Sequence, residues 1–448
     1  MCREGKLFTE GYGEMKLKAV SGIMLTLLLV GMLTLAFNIQ PNEAEPTTII
    51  VPDDYEKIQW AIGNASDGDT IFVETGTYYE NLVVNKTVSL IGEDEYNTII
   101  DGNFTGTVIN IEADNIDITG FTIRNSEPDY PDSGIRAYFS NCHNISNNIV
   151  TNNGYGIWLQ ESSNNTMSEN NITKNDGPGI GLFSSSGNAI SENSITKNTG
   201  GIGLWRSSNN TISGNNIIKN GVDINGIGIG LGDSSNNTIS GNSIIANNGY
   251  GIRFGGSSSN RISGNSIIDS YYAIYIDFSS NDNVLASNLV NKNTYAVLLD
   301  SSYNNTFYHN NFIDNTLVYI RMDGYRNFWA HGYPSGGNYW SDHNPPDWYS
   351  GPYQNETGRD KIGDVPYIID GNNTDRYPLI YPYGYVPTPD VNNDGIVDIE
   401  DLTICALAMW SYPGHPKWNP QADLNNDGII DIVDLVIIGI NFGKSLPL

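Results

Sequence analysis

Along the middle of the chain, apolar residues recur in pieces too short for helices. An anchoring apolar residue stands at Ile145, Met167, Ile190, Ile212, Ile239, Ile262, Leu285 and Phe307, a step of about 22 or 23 residues. Five positions after an anchor comes a second apolar piece, as at Ile172, Ile195, Ile217, Ile244 and Ile267. The third piece is a Gly-Ile-x-Leu run, as in Gly179–Leu182 and Gly201–Leu204. Short β-branched pieces predict strands rather than helices. A repeat of this length is a solenoid signature. Three strands per repeat, each pairing with its copies above and below, predict a parallel β-helix of about ten rungs, roughly 45 Å long at ~4.8 Å per rung. The one longer step spans Val222 to Asn225 and reads as a loop insertion.

Polar residues keep the same step. One column runs from Asn148 through Asn170 and Asn193 to Asn310. A second reads Asn153, Asn175, Asn198, Asn220, Asn247, Ser270, Asn293, Asn315. A third starts at His143 and continues from Asn165 to Asn305. Stacked amides hydrogen-bond donor to acceptor along a rod, and Asn tolerates tight bends. Columns used by every rung are therefore read as structural. The Asn-x-Ser/Thr triplets at Asn164, Asn209, Asn236 and Asn304 are assigned to the same ladder chemistry, which needs no glycosylation to explain it.

The 448 residues carry a formal net charge of −28. Nucleic acid and anionic membrane surfaces repel such a chain, so cations are the expected partners. Charged residues make up only 16% and glycines number 48, which fits a turn-rich all-β protein rather than a helical enzyme. Cys2, Cys142 and Cys405 form no CxxC pair and predict neither a disulfide framework nor a zinc site. Lys16 and Lys18 precede an apolar run, Ala19 to Phe37, directly after Met15, an alternative start. Residues 1–44 are expected to be either a cleaved export signal ending near Ala44 or a retained membrane anchor. The run lacks the polar face of a core helix. In either case the remainder is expected to work outside the cytoplasm.

The outward positions of the Gly-Ile-x-Leu strands align rung by rung: Arg136 and Tyr138, Trp158 and Gln160, Gly181 and Phe183, Gly203 and Trp205, Gly230 and Gly232, Arg253 and Gly255, Tyr275 and Asp277, Leu298 and Asp300. Aromatic faces pack on pyranose rings, and glycines leave room for a long ligand. Arg136, Tyr138, Trp158, Phe183, Trp205, Arg253 and Tyr275 are therefore candidate carbohydrate-binding residues. Arg136, Arg253 and Arg206 could hold the carboxylates of an acidic sugar. The alternative is a surface that only solvates the strands. Glycoside hydrolysis needs two carboxylates roughly 5 to 9.5 Å apart, and Asp277 and Asp300, on adjacent rungs, are the candidate pair. Asp233 lies one strand position further on and is expected to face elsewhere.

The stretch Thr48–Tyr55, through Ile58-Gln59 and Ala61-Ile62, to Gly68–Val73 and Gly76-Thr77-Tyr78 resembles the N-terminal cap of pectin-lyase-like β-helix proteins, with Asp53 to Asn64 as its helix. The rungs that follow are similar to the NosD type of that family. The resemblance covers roughly 47–325 and continues into Gly336–Asp342 as a C-terminal closure. It implies an all-β, right-handed parallel β-helix over 45–325, with a Gly/Trp/Tyr/Pro-rich closure and linker over 326–386. Family members act in copper-site assembly of nitrous oxide reductase or on polysaccharides. Of His143, His309, His331, His343 and His415, only His143 has a soft residue beside it, its neighbour Cys142, and none belongs to a spaced set of Met or Cys ligands, which speaks against copper. The polygalacturonase pattern that combines paired aspartates with a Gly-His dipeptide is absent, as are the arginine and aspartate clusters of pectate lyases.

Two further segments match an EF-hand-like calcium loop, Asp390–Asp401 and Asp423–Asp434. Calcium wants six to eight oxygens, from loop positions 1, 3, 5, 9 and 12 and a backbone carbonyl at 7, with Gly at 6 for the sharp turn. The first loop offers Asp390, Asn392, Asp394, Asp398 and Asp401 with the Ile396 carbonyl. The second offers Asp423, Asn425, Asp427, Asp431 and Asp434 with the Ile429 carbonyl. Two Ca²⁺ sites are expected. Asp at position 12 and the apolar runs Leu402–Met409 and Leu435–Ile440 make residues 387–448 resemble a type I dockerin. That implies docking to a cohesin-like domain, with recognition residues at Ile399-Glu400 and Ile432-Val433. A calcium-stabilised cap with no partner is the alternative. The expected function is an exported surface protein that binds polysaccharide or cell-wall glycan, or else a polysaccharide lyase or glycoside hydrolase carried by the dockerin.

Overall fold

The computed structural model describes residues 45–221, 225–321, 326–384, 387–392 and 394–445. The expected export segment and most of the loop insertion lie outside the described residues. Thr48–Leu448 form one compact unit. Three parallel sheets of twelve, eleven and twelve strands wind into a β-helix. The first sheet runs from Thr48–Val51 to Thr306–Tyr308, the second from Leu82–Val84 to Leu317–Arg321, the third from Gly76–Tyr79 to Tyr339–Trp340. The rod has about eleven turns where the anchors suggested about ten. The extra turns come from the cap: Ile49 pairs with Ile71, Ile71 with Leu90, Leu90 with Ile118 and Ile118 with Ile145. The capping helix is also shorter than expected, α1 spanning Ile58–Asn64. The Glu80 carboxylate accepts from the Ile58 and Gln59 amides at 3.0 and 3.1 Å, supplying the cap that Lys57 lacks. No described helix is long and apolar enough to cross a membrane.

The anchors Ile145, Met167, Ile190, Ile212, Ile239 and Ile262 are wholly buried and pair in register. The amide columns act as read, each Oδ1 accepting from the backbone N–H of the preceding rung. Asn193 is typical: Oδ1 accepts from Asn170 N at 3.0 Å, and Nδ2 donates to Met167 O at 2.9 Å and Asn215 Oδ1 at 3.0 Å. The bends, however, are made by the residue before each column. Glu169, Glu192, Lys174, Lys197, Asn164 and Asn209 all have φ between 57 and 59°. A side chain locked into the ladder leaves its neighbour to take the left-handed turn. Cys142, with φ 62°, is such a corner residue. Asn164, Asn209, Asn236 and Asn304 are exposed corners too, outside the ladder to which the sequence assigned them.

A fourth ladder passes through buried serines, as in Ser162 N to Ser185 Oγ, Ser185 N to Ser207 Oγ and Ser207 N to Ser234 Oγ, each 3.0 Å. At the C-terminal end Trp329 stacks on Phe307 and Trp340 on Phe312, each at 4.4 Å, closing the apolar core. Buried Asp375 ties this closure, accepting from Asn338 N at 2.7 Å, Trp340 Nε1 at 3.0 Å and Tyr377 N at 3.1 Å.

Candidate functional site

The six-residue strands of the second sheet present two registered columns. Arg136, Trp158, Gly181, Gly203, Gly230, Arg253, Tyr275 and Leu298 form one. Tyr138, Gln160, Phe183, Trp205, Gly232, Gly255 and Asp277 form the other. The sequence missed a third row, the left-handed corner after each strand. There φ is 49° at Asp233, 63° at Gly256 and 50° at Phe278. This turn brings Asp233 back to the face from which strand alternation had excluded it.

A trough of about 410 Å³ lies on this face, lined by Trp205, Gly230, Gly232, Asp233, Arg253, Gly255 and Phe278 among others. A second hollow of about 170 Å³ lies across Trp205, lined by Pro178, Gly201, Gly203 and Ile227 among others. The glycines have a different role from the one expected. A Cβ on Gly203 would collide with the Trp205 ring and one on Gly181 with Trp158, so these glycines are beds for the indoles. Trp205 keeps 38% of its surface exposed. Trp158 keeps only 4%, enclosed by Tyr155 at 5.0 Å, Tyr130 at 5.7 Å and Trp205 at 5.8 Å. Its faces are occupied within the protein, so it supports Trp205 rather than offering a platform.

Arg136 lies over the Tyr138 ring at 5.3 Å, and Arg206 over Phe183 at 5.9 Å. Arg253 spans Tyr250 and Tyr275 at 5.3 and 5.6 Å and donates Nη2 to Asp277 Oδ2 at 3.1 Å. A tyrosine column, Tyr250, Tyr272 and Tyr295, pairs in register beside it. Its 22- and 23-residue steps were visible in the sequence and went unread. Asp277 is 2% exposed, and its Oδ1 has no hydrogen-bond partner. That oxygen is buried 3.2 Å from where a Cβ on trough-lining Gly255 would stand, and Asp277 itself does not line the trough. Burial pushes the Asp277 carboxyl up against the opposing pull of Arg253, with Asp300 adding a smaller push. The Tyr275 hydroxyl is pushed up to about 12, by burial first and then by Asp277 and Asp300. Asp300 is half-buried and accepts from Ser301 Oγ at 3.1 Å.

The two acidic loops fold alike, almost bond for bond. In the first, Asp390 Oδ1 accepts from Asp394 N, Asp390 Oδ2 from Gly395 N, Asp394 Oδ1 from Ile396 N and Asp401 Oδ1 from Val391 N. In the second, Asp423, Asp427 and Asp434 make the matching bonds. Asp398 and Asp431 cap helices α2 (Ile399–Leu407) and α3 (Ile432–Asn441) with capping boxes completed by Asp401 and Asp434. The helices enclose a small core of Val391, Val397, Cys405, Ala408, Ala422, Ile430 and Ile438, where burial pushes the Cys405 thiol up to about 12.

Among the described residues no three His, Cys, Asp or Glu side chains gather into a ready metal cluster, the five histidines included. The loop donors are mixed oxygens, carboxylate, Asn amide and backbone carbonyl, the set a hard cation takes. Asp401, Asp423 and Asp434 are completely buried, and among the described residues the only ion pairs, Arg124–Asp101 and Arg253–Asp277, lie on the rod. Buried carboxylates without a cation are costly, so both loops fit calcium. Ile399, Ile432 and Val433 are exposed at the helix starts, at 63, 58 and 46%.

A parallel β-solenoid closed by stacked aromatics and followed by paired acidic loops defines the class of protein. Residues 62–229 and 217–345, together more than half the chain, match the family described as periplasmic copper-binding protein (NosD), and the chain belongs to that family. Residues 388–440 match the type I dockerin domain. No curated protein sequence matches the chain. Among solved structures it is similar to the Dettilon tailspike protein gp208, at 13% identity, covering 65% of this chain and 66% of that one with a TM-score of 0.50. It is similar to DFA-IIIase from Arthrobacter chlorophenolicus A6 in complex with GF2, at 11% identity, 61 and 89% coverage and a TM-score of 0.50. It also resembles the A-module of mannuronan C-5 epimerase AlgE4 from Azotobacter vinelandii, at 16% identity, 60 and 92% coverage and a TM-score of 0.47. At such identities the likeness is one of fold.

Proposed function

We propose that this is an exported protein that holds a polysaccharide along the second-sheet face and is brought to a cohesin-like partner by its dockerin, with calcium in both loops. The observation that carries the first half is the 410 Å³ trough, set between the half-open Trp205 indole and Arg253 and flanked by the exposed Phe278 ring. Such a surface offers an aromatic face for a sugar ring and charged and polar groups for its hydroxyls. The dockerin match and the apolar residues exposed at the helix starts, Ile399, Ile432 and Val433, support the second half. In each loop the named ligands would hold the ion, and the bound ion would supply the charge that keeps the buried carboxylates together.

Asp277 favours a second reading, that the rod acts on the glycan. An almost fully buried carboxyl with a raised pKa, packed beneath trough-lining Gly255, is the kind of group that serves as a general acid once a ligand or a side-chain shift reaches it. Asp300, one rung on, would be its carboxylate partner. One experiment separates the readings. The purified protein, with calcium, is incubated with acidic and neutral polysaccharides while retention and new chain ends are measured. Retention without new ends, lost in Trp205→Ala, supports the binding protein. New ends that vanish in Asp277→Asn make it an enzyme. Neither retention nor new ends refutes both.

A further inference from the structure

The two calcium loops match in their own bonds but differ in what surrounds them. The second loop is clasped by the rod's closure. The Tyr381 hydroxyl donates to Asp423 Oδ2, the carboxylate at loop position 1, beside the bond that oxygen accepts from Gly428 N at 2.9 Å. Arg359 Nη1 donates to the Asp427 carbonyl at 2.8 Å and lies so close to Gly428 that a Cβ there would strike it. The segment between the helices is held from the same side. Asn344 Nδ2 donates to His415 O at 3.1 Å, its Oδ1 accepts from Gly414 N at 3.0 Å, and Trp348 meets Tyr412 edge-on at 5.3 Å. In the first loop, among the described residues, the carboxylates of Asp390 and Asp394 accept only from Asn392, Asp394, Gly395 and Ile396, all within the loop itself.

We propose that Tyr381 and Arg359, outside the dockerin, are positioning residues for the second calcium loop, so that calcium there and the rod's closure stabilise each other. This rests on the reading of the loops as calcium sites. The hydroxyl holds the Asp423 carboxylate in one orientation and Arg359 holds the loop backbone. Less ordering then remains for the cation to impose. Coupling of this kind is reciprocal, so an ion in the second loop must tighten the segment that carries Tyr381 and Arg359. Among the described residues, no closure side chain offers an ion in the first loop such a route. The clasp also sets the docking module against the end of the rod.

The test uses the full chain and calcium titration by calorimetry. Asp394→Ala silences the first loop and Asp427→Ala the second. In the Asp394→Ala background, adding Tyr381→Phe should weaken the remaining site roughly tenfold, the effect of one hydrogen bond to a charged group. In the Asp427→Ala background Tyr381→Phe should leave calcium affinity unchanged. Arg359→Gln should show the same one-sided loss. Hydrogen exchange supplies the reciprocal readout. The Gly363 and Asp364 amides of the closure should slow on calcium addition in Asp394→Ala and not in Asp427→Ala. Calcium binding that Tyr381→Phe and Arg359→Gln leave untouched, or alter equally in both loops, overturns the coupling alone. A wild-type chain that binds no calcium overturns the calcium reading as well.

Discussion

Ser270 interrupts the second amide column, and repairing it tests whether the ladders stabilise the rod. In an intact rung such as Asn220, Oδ1 accepts from Asn198 N at 3.1 Å and Asn198 Nδ2 at 3.2 Å. Its Nδ2 donates to Ile195 O at 2.9 Å and to Asn247 Oδ1 at 3.1 Å. At Ser270 only the backbone link survives, Ser270 N to Asn293 Oδ1 at 2.9 Å, while the hydroxyl is buried with no partner. Asn247, one rung earlier, keeps its Nδ2 bond to Ile217 O at 2.9 Å but has lost the next rung's Oδ1 as acceptor for its N and Nδ2. Ser270→Asn should restore four bonds: two accepted from Asn247 and two donated, to Ile244 O and Asn293 Oδ1. At about 1 kcal/mol per net bond, less the entropy of fixing one side chain, the gain is about 1–3 kcal/mol. Solenoids open locally, so the assay is native-state hydrogen exchange at Asn247 N. A gain of about 2 kcal/mol slows it about thirtyfold. Ser270→Ala, which removes an unsatisfied hydroxyl, should stabilise slightly without protecting Asn247 N. If Ser270→Asn destabilises the rod, or leaves that amide exchanging as before, the ladder account is refuted.

Three further outcomes follow from the same geometry. His143 heads the third column with Nδ1 accepting from Ile116 N at 3.4 Å, and burial lowers its pKa from 6.5 to about 4. Its contribution is full above pH 6.5 and is lost as pH falls towards 4, by about 3 kcal/mol, so urea unfolding of His143→Asn should lose that part of the acid sensitivity. Asp375→Ala leaves Asn338 N, Trp340 Nε1 and Tyr377 N without their acceptor. It should loosen the closure by about 3–5 kcal/mol, seen as proteolysis within 326–384 that is faster than in the unaltered chain both with and without calcium. Gly203→Ala must displace the Trp205 ring from its bed. It should abolish any polysaccharide retention while leaving calcium binding intact, and unchanged retention would remove Trp205 from the site.

Repetition made the rod legible. A strand that pairs with its own copy one rung away must repeat its pattern, so anchors, amide columns and outward columns could be aligned without coordinates. The two acidic loops were legible for a related reason: their pattern of Asp, Asn and Gly is set within twelve residues. Local rules failed where the chain leaves its period. The left-handed corners carry Asp233 and Phe278 onto the face, although strand alternation points Asp233 away. The serine ladder passed unread because Ser-Ser pairs look like ordinary turn residues.

What the sequence determined by itself was therefore everything set by period and by short-range ligand spacing: the parallel β-helix, its register and the two acidic loops. What only the tertiary structure decided was which side chains remain available. Trp158 is enclosed and Trp205 open, though both lie on glycine beds in the same kind of strand, because Tyr130 and Tyr155 cover Trp158 alone. The contact of Tyr381 with Asp423, 42 residues away, is likewise a product of packing. Nothing in the spacing of two such residues encodes it, since it exists only once the closure and the second loop have each folded and met.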